Sequence, residues 1–89
     1  MTTQQMIEVL QMYDHHLTGL GVLPQQRGEA REHILWMISC AREFALKPDP
    51  DKANRWLGFI QGVLWCEKIY TIDEMRGHNR AQGGNDAEE

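Results

Sequence analysis

Serine is nearly missing from this chain. Ser39 stands alone, without the flanking glycines of a nucleophile elbow, which removes the pattern of a serine hydrolase. No glycine-rich phosphate loop and no dinucleotide fingerprint occurs. Cysteine is scarce too: Cys40 and Cys66 are far apart and form no CxxC. That spacing signals neither a disulfide framework nor zinc, whose ligands usually come in close pairs. Both cysteines fall in apolar helical runs and are expected as reduced, buried small hydrophobes of a cytosolic protein. Long apolar runs are also wanting. The longest, Trp56 to Cys66, is eleven residues with Gln61 as its one polar side chain, well short of the roughly 20 that span a bilayer. The first residues lack the basic flank and apolar core of a signal peptide. A cytoplasmic protein, neither exported nor inserted, is expected. Positive charge is not in excess, the formal net charge being −4, which disfavours non-specific nucleic-acid binding and attraction to anionic membranes. Thirteen acids against nine bases are also too few for the dense anionic surface of a nucleic-acid mimic.

What is present is helical periodicity. Eighty-nine residues make one small domain, and a chain this size buries only about 60% of its unfolded surface. A first helix is expected from Thr3 to Thr18, capped by Thr2 or Thr3. Met6, Val9, Leu10, Tyr13, Leu17 and Leu20 recur at three- and four-residue steps. Gly19 and Gly21 stop it and Pro24 reinforces the break. Leu20, Val22 and Leu23 are expected to fold back onto the core. A second helix is expected from Gly28 to Leu46, with Ala30, Ile34, Met37, Ile38, Ala41, Phe44 and Ala45 as its buried stripe. Trp36 falls on its polar face, an unusual place for an indole. Asp49 and Pro50 suit the cap and first position of a third helix, running to about Lys68. Ala53, Trp56, Leu57, Ile60, Val63 and Leu64 share one broad face of it, while Gly58, Gly62, Trp65 and Ile69 lie on the other. Thr71 and Glu74 form a capping box for a short fourth helix, Ile72 to Arg76, with Ile69, Ile72 and Met75 inward and Gly77 as its end. The expected architecture is therefore all-α: a three-helix bundle with a short fourth C-terminal helix. Residues 1–79 form a single helical domain, and 80–89 a disordered acidic tail.

The residues that could carry chemistry are sparse. His15 and His16 are adjacent and point about 100° apart on a helix, so they cannot share one ion well. His33 and Cys40 lie two turns apart on one edge of the second helix and could meet Cys66, without the paired spacing of a zinc site. Asp49, Asp51, Asp73 and Glu74 are explained by capping and the helix dipole. No catalytic, cofactor or metal residue is assigned, and a non-enzymatic protein is expected. Arg27, Arg31, Arg42, Lys52 and Arg55 could contact phosphates. The third helix, however, is too apolar to enter a DNA groove.

Gly58 and Gly62, one turn apart, open a flat strip where another backbone can approach. Each costs roughly 1 kcal/mol relative to alanine in mid-helix. Two readings stand side by side: close packing of the first helix within the chain, or contact with another subunit. Trp36, Gly58, Phe59, Gly62, Trp65 and Ile69 are the candidate protein-interface residues. Aromatics are favoured anchors in such contacts.

Lys52 to Trp65, then Ile69-Tyr70-Thr71-Ile72-Asp73-Glu74-Met75-Arg76 and His78-Asn79-Arg80, resemble small proteins encoded by tailed bacteriophages and prophages, as does the segment His33-Ile34-Leu35-Trp36-Met37. The likeness covers roughly residues 28–80. That group has no assigned activity, so no site residue carries over. The resemblance implies a viral accessory protein acting in the bacterial cytoplasm, and small phage products often work by binding a host or defence protein. The leading expectation is a phage accessory protein that acts by protein–protein binding, as a homodimer, with a bacterial host protein as a further partner. The alternatives are a nucleic-acid-associated replication or transcription accessory, and a small-molecule or nucleotide sponge formed between subunits.

Overall fold

The computed structural model describes residues 2–47 and 49–83. Four α-helices follow one another: α1 (Thr3–Gly19), α2 (Ala30–Leu46), α3 (Pro50–Cys66) and α4 (Ile72–Gly83). Among the described residues there is no strand, and no helix is long and apolar enough to cross a membrane.

The helix starts are written in local chemistry. Thr2 caps α1 by accepting from the Gln5 amide at 3.1 Å, while its own amide donates to Gln5 Oε1 at 2.6 Å. Thr71 and Glu74 repeat the arrangement at α4, with 2.7 Å from the Thr71 amide to Glu74 Oε1 and 3.1 Å from the Glu74 amide to Thr71 Oγ1. Each box satisfies two amides that a helix start leaves unpaired. Asp49 caps α3 at the Lys52 amide, 3.4 Å away. The α2 start has no side-chain cap. Its first turn is held instead by the connection before it: the Gln25 amide donates to Glu32 O at 3.1 Å, and His33 Nδ1 donates to Gln26 O at 2.6 Å.

Two helices end alike with different residues. After α1, the Val22 amide donates to Leu17 O (3.1 Å) and the Gly21 amide to Thr18 O (3.0 Å). After α3, the Ile69 amide donates to Leu64 O (2.9 Å) and the Lys68 amide to Trp65 O (3.0 Å). Both are Schellman ends, which need a left-handed residue at the turn. Gly21 supplies it at φ 87°, and Lys68 supplies it at φ 60°. Glycine takes that conformation freely, whereas a side chain there costs on the order of 1 kcal/mol.

The chain fits within 36 × 30 × 18 Å. Helix α2 packs along both α1 and α3, which meet each other only briefly, and α4 lies against α1. The largest fully buried side chains are Val9, Leu10, Tyr13 and Leu17 from α1, Ile34 and Ile38 from α2, and Ile60 and Leu64 from α3. Each large aliphatic among them stabilises by about 1.5–3 kcal/mol through burial.

Several expectations change. Leu35 is buried although it lies off the expected stripe; α2 is covered from two sides, so its buried arc is wider than one stripe. Of the connection after α1, Val22 is buried, but Leu20 and Leu23 are exposed, because the Schellman turn spends its one inward contact on Val22. Ala30, the first residue of α2, is exposed rather than part of the stripe. Cys66 is exposed and Cys40 half-buried, both as free thiols. Ile72 points outward while Met75 is buried. Gly77 does not end α4, which runs on to Gly83 and so takes in 80–83 of the stretch expected as tail. Residues 84–89 of that expected tail lie outside the described residues.

Candidate functional site

Helix α3 presents two unlike faces. Ala53, Leu57, Ile60 and Leu64 are buried, with Trp56 and Val63 half-buried beside them. On the opposite side Asp51, Asn54, Arg55, Gly58, Phe59, Gly62, Trp65 and Cys66 are all exposed. Among the described residues, a Cβ added at Gly58 or Gly62 would meet nothing within 4 Å. Close packing of α1 on this strip, one of the two readings of the glycine pair, is thereby removed. Around the strip stand Phe59, 56% exposed, and Trp65, 50% exposed. Ile72 of α4, 45% exposed, extends the apolar edge. Gly62, Trp65, Ile72, Met75 and Arg76 line an open cleft of about 210 Å³ between α3 and α4.

Four of the expected interface residues are thus gathered on one surface: Gly58, Phe59, Gly62 and Trp65. Ile69 is half-buried against the core at the α3 end and joins Trp65, Tyr70 and Glu74 around a neighbouring hollow. Trp36 stands apart. It is half-buried in an aromatic row on the α2–α3 seam: His33 stacks on it at 5.5 Å, Trp56 lies 6.4 Å away, and Phe44 meets Trp56 edge-on at 4.9 Å. Trp56 and Trp65 are nine residues apart, half a turn around the helix, so this row and the glycine strip look in opposite directions. Trp36 covers the edge of the core; its place on a polar stripe reflects how far two packed helices extend their shared seam.

One constellation was not assembled from the sequence. Gln61 uses both amide hydrogens, donating to the Tyr13 hydroxyl oxygen and to Asn79 Oδ1, each at 2.9 Å. The Tyr13 hydroxyl, so supplied, donates its own proton to His78 Nδ1 at 3.0 Å. Tyr70 closes the cluster, its ring 5.3 Å from Tyr13 and 4.7 Å edge-on from His78, with His16 at 5.2 Å on its other side. Burial pushes the Tyr13 hydroxyl up to about 12, only partly offset by the Gln61 hydrogen bond. Burial also lowers the His78 imidazole, against a smaller opposing pull from Glu74. Both groups are therefore held neutral near pH 7, and the cluster works as a clasp that fastens α4 to α1 and α3. The one signal for it was Gln61 itself, a single polar residue inside an otherwise apolar run.

The remaining chemistry is dispersed. Among the described residues no group of three or more His, Cys, Asp and Glu side chains could hold a metal ion; His33 is turned to Gln26 rather than to Cys40. Of the basic residues that could meet phosphates, Arg31 pairs with Glu67 at 3.3 Å and Arg42 with Asp14 at 3.5 Å. Lys52 sits over the Phe44 ring, 4.4 Å from its centre. Such partly exposed pairs contribute little to stability, but they mix acidic with basic groups where a phosphate-binding surface would be uniformly positive. No protein-family model matches the chain, nor does any curated protein or any solved structure.

Proposed function

We propose that this chain is a non-enzymatic binding protein whose open α3 face docks another protein chain. The supporting observation is the combination on that face: two exposed mid-helix glycines where, among the described residues, an added Cβ would meet nothing within 4 Å, and two half-exposed aromatic rings beside them. A helix whose outer face served only as a solvated surface would gain about 1 kcal/mol from alanine at each glycine, and would have no use for Phe59 and Trp65 there. Large exposed aromatic groups around a flat strip are what a partner helix needs for anchors and close approach. The resemblance to small phage and prophage proteins supports a partner in the cytoplasm of a bacterial host, as a host protein or as a second copy of the chain.

The test is site-specific photo-cross-linking in bacterial cells. A photoreactive residue at Phe59 is expected to yield protein adducts, and one at Glu8, exposed on α1, is expected to yield none. Equal labelling at both positions, or none at Phe59, would overturn the reading.

A further inference from the structure

We infer that the occupant of the α3 face is a second copy of this chain, crossing antiparallel about a two-fold axis that passes between Gly58 and Gly62; this rests on the binding reading above. The glycine strip alone does not select a partner. The charges around it do. In an isologous contact each residue meets a fixed counterpart, and centring the axis between the glycines sets Gly58 against Gly62 of the partner subunit. Arg55 lies three residues before Gly58, and Trp65 three after Gly62. The antiparallel crossing therefore brings Arg55 over Trp65 of the partner subunit, a cation on an aromatic face, and the two-fold repeats the contact. Asp51, at the α3 start, comes beside Lys68 of the partner subunit, just past the α3 end.

A parallel crossing would instead set arginine on arginine and stack the helix dipoles in the same sense, both unfavourable. The antiparallel register also cancels charge locally: among the exposed α3 residues of this face Asp51 and Arg55 are the only ionised ones, and Arg76 of α4, which shares the cleft with Trp65, is paired with Asp73 at 3.8 Å. A chain of net charge −4 can thus approach its copy here across a surface that mixes both signs. Phe59 lies near the axis and meets the same residue of the partner subunit.

Sedimentation of the purified chain over a rising concentration series tests the pairing, since no other protein is present. A reversible dimer is expected. Gly62→Leu and Arg55→Glu are each expected to weaken it about tenfold or more, with unchanged helical circular dichroism at dilution confirming that both variants fold. Register is read by disulfide trapping in a Cys40→Ser, Cys66→Ser background. Mixed Arg55→Cys and Trp65→Cys chains are expected to link to each other, and neither variant to itself. A monomer at every concentration, or each variant linking only to itself, would overturn the proposal. If the purified chain stays monomeric while Phe59 still cross-links other proteins in cells, the self-pairing fails and the binding reading stands. If both are silent, both fail.

Discussion

Along α3, Ala53, Leu57, Ile60 and Leu64 lie in the core, while half a turn away Gly58, Phe59, Gly62 and Trp65 lie in solvent. The two faces share one backbone and the same helical repeat. On the inner face Leu57, Ile60 and Leu64 fill the core. On the outer face side chains are removed at the centre and enlarged at the rim. That difference separates a surface finished within the chain from one left open. It also separates two kinds of cost: an inner substitution leaves a void, whereas an outer one changes only what a second molecule would meet.

The largest expected effect lies on the inner face. Ile60→Ala should lower unfolding free energy by about 3 kcal/mol, the cost of a fully buried cavity, read by urea denaturation of the dilute chain. Phe59→Ala on the outer face should change the same quantity by less than about 0.5 kcal/mol. Comparable losses at both positions would erase the distinction between the faces.

Next comes the clasp, which joins the inner side of α3 to the other helices. Tyr13→Phe keeps the ring and strips partners from Gln61 and His78, so a loss of about 1–2 kcal/mol is expected. Amide exchange in α4 should rise more than in α2, because the broken bonds are those that fasten α4. An even rise across all four helices would show that Tyr13 acts only through the core.

Helix-backbone changes rank below that. Lys68→Gly relieves a left-handed lysine and should raise stability by about 1 kcal/mol. Gly77→Ala should add a similar amount, since its Cβ would meet nothing within 4 Å and it sits inside a helix. A loss at either position would mean that the surface there is engaged.

The smallest expected effect is on pH dependence. The His78 pKa is lowered in the fold by burial, so the unfolded chain binds more protons below the ordinary value of about 6.5. Its contribution is present above that value and is lost as pH falls through the folded pKa. Tyr13 runs the other way: its folded pKa, raised to about 12 by burial, makes its contribution full below about pH 10 and lost as pH rises toward the folded value. Denaturation midpoints should therefore fall at both ends, and Tyr13→Phe should flatten the alkaline limb. An alkaline limb unchanged in that variant would assign the loss to other groups.

The helices and most of their ends were legible because their signals are local. The Thr71–Glu74 box and the Asp49 cap lie within four residues of what they satisfy, and the α3 core stripe follows the helical repeat. The run of α4 past Gly77 was not legible. What holds its next turn is His78 on Tyr13 and Asn79 on Gln61, contacts that bridge distant parts of the chain and leave no periodic trace. At the site, the unlikeness of the two α3 faces was visible in the sequence, but whether α1 covered the glycines depended on where α1 packs. Trp36 was misleading for a related reason: a residue on a polar stripe can still be covered when its neighbour helix brings another tryptophan to the same seam.

The most direct measurement pairs stability with association in the double variant Gly58→Ala, Gly62→Ala. In dilute solution its unfolding free energy should exceed that of the unaltered chain by about 2 kcal/mol, roughly 1 for each mid-helix glycine, while self-association at high concentration should weaken. A variant that gains stability and still pairs as tightly, or that loses stability as a monomer, would contradict the claim that this face is open within the chain and filled by a copy of it.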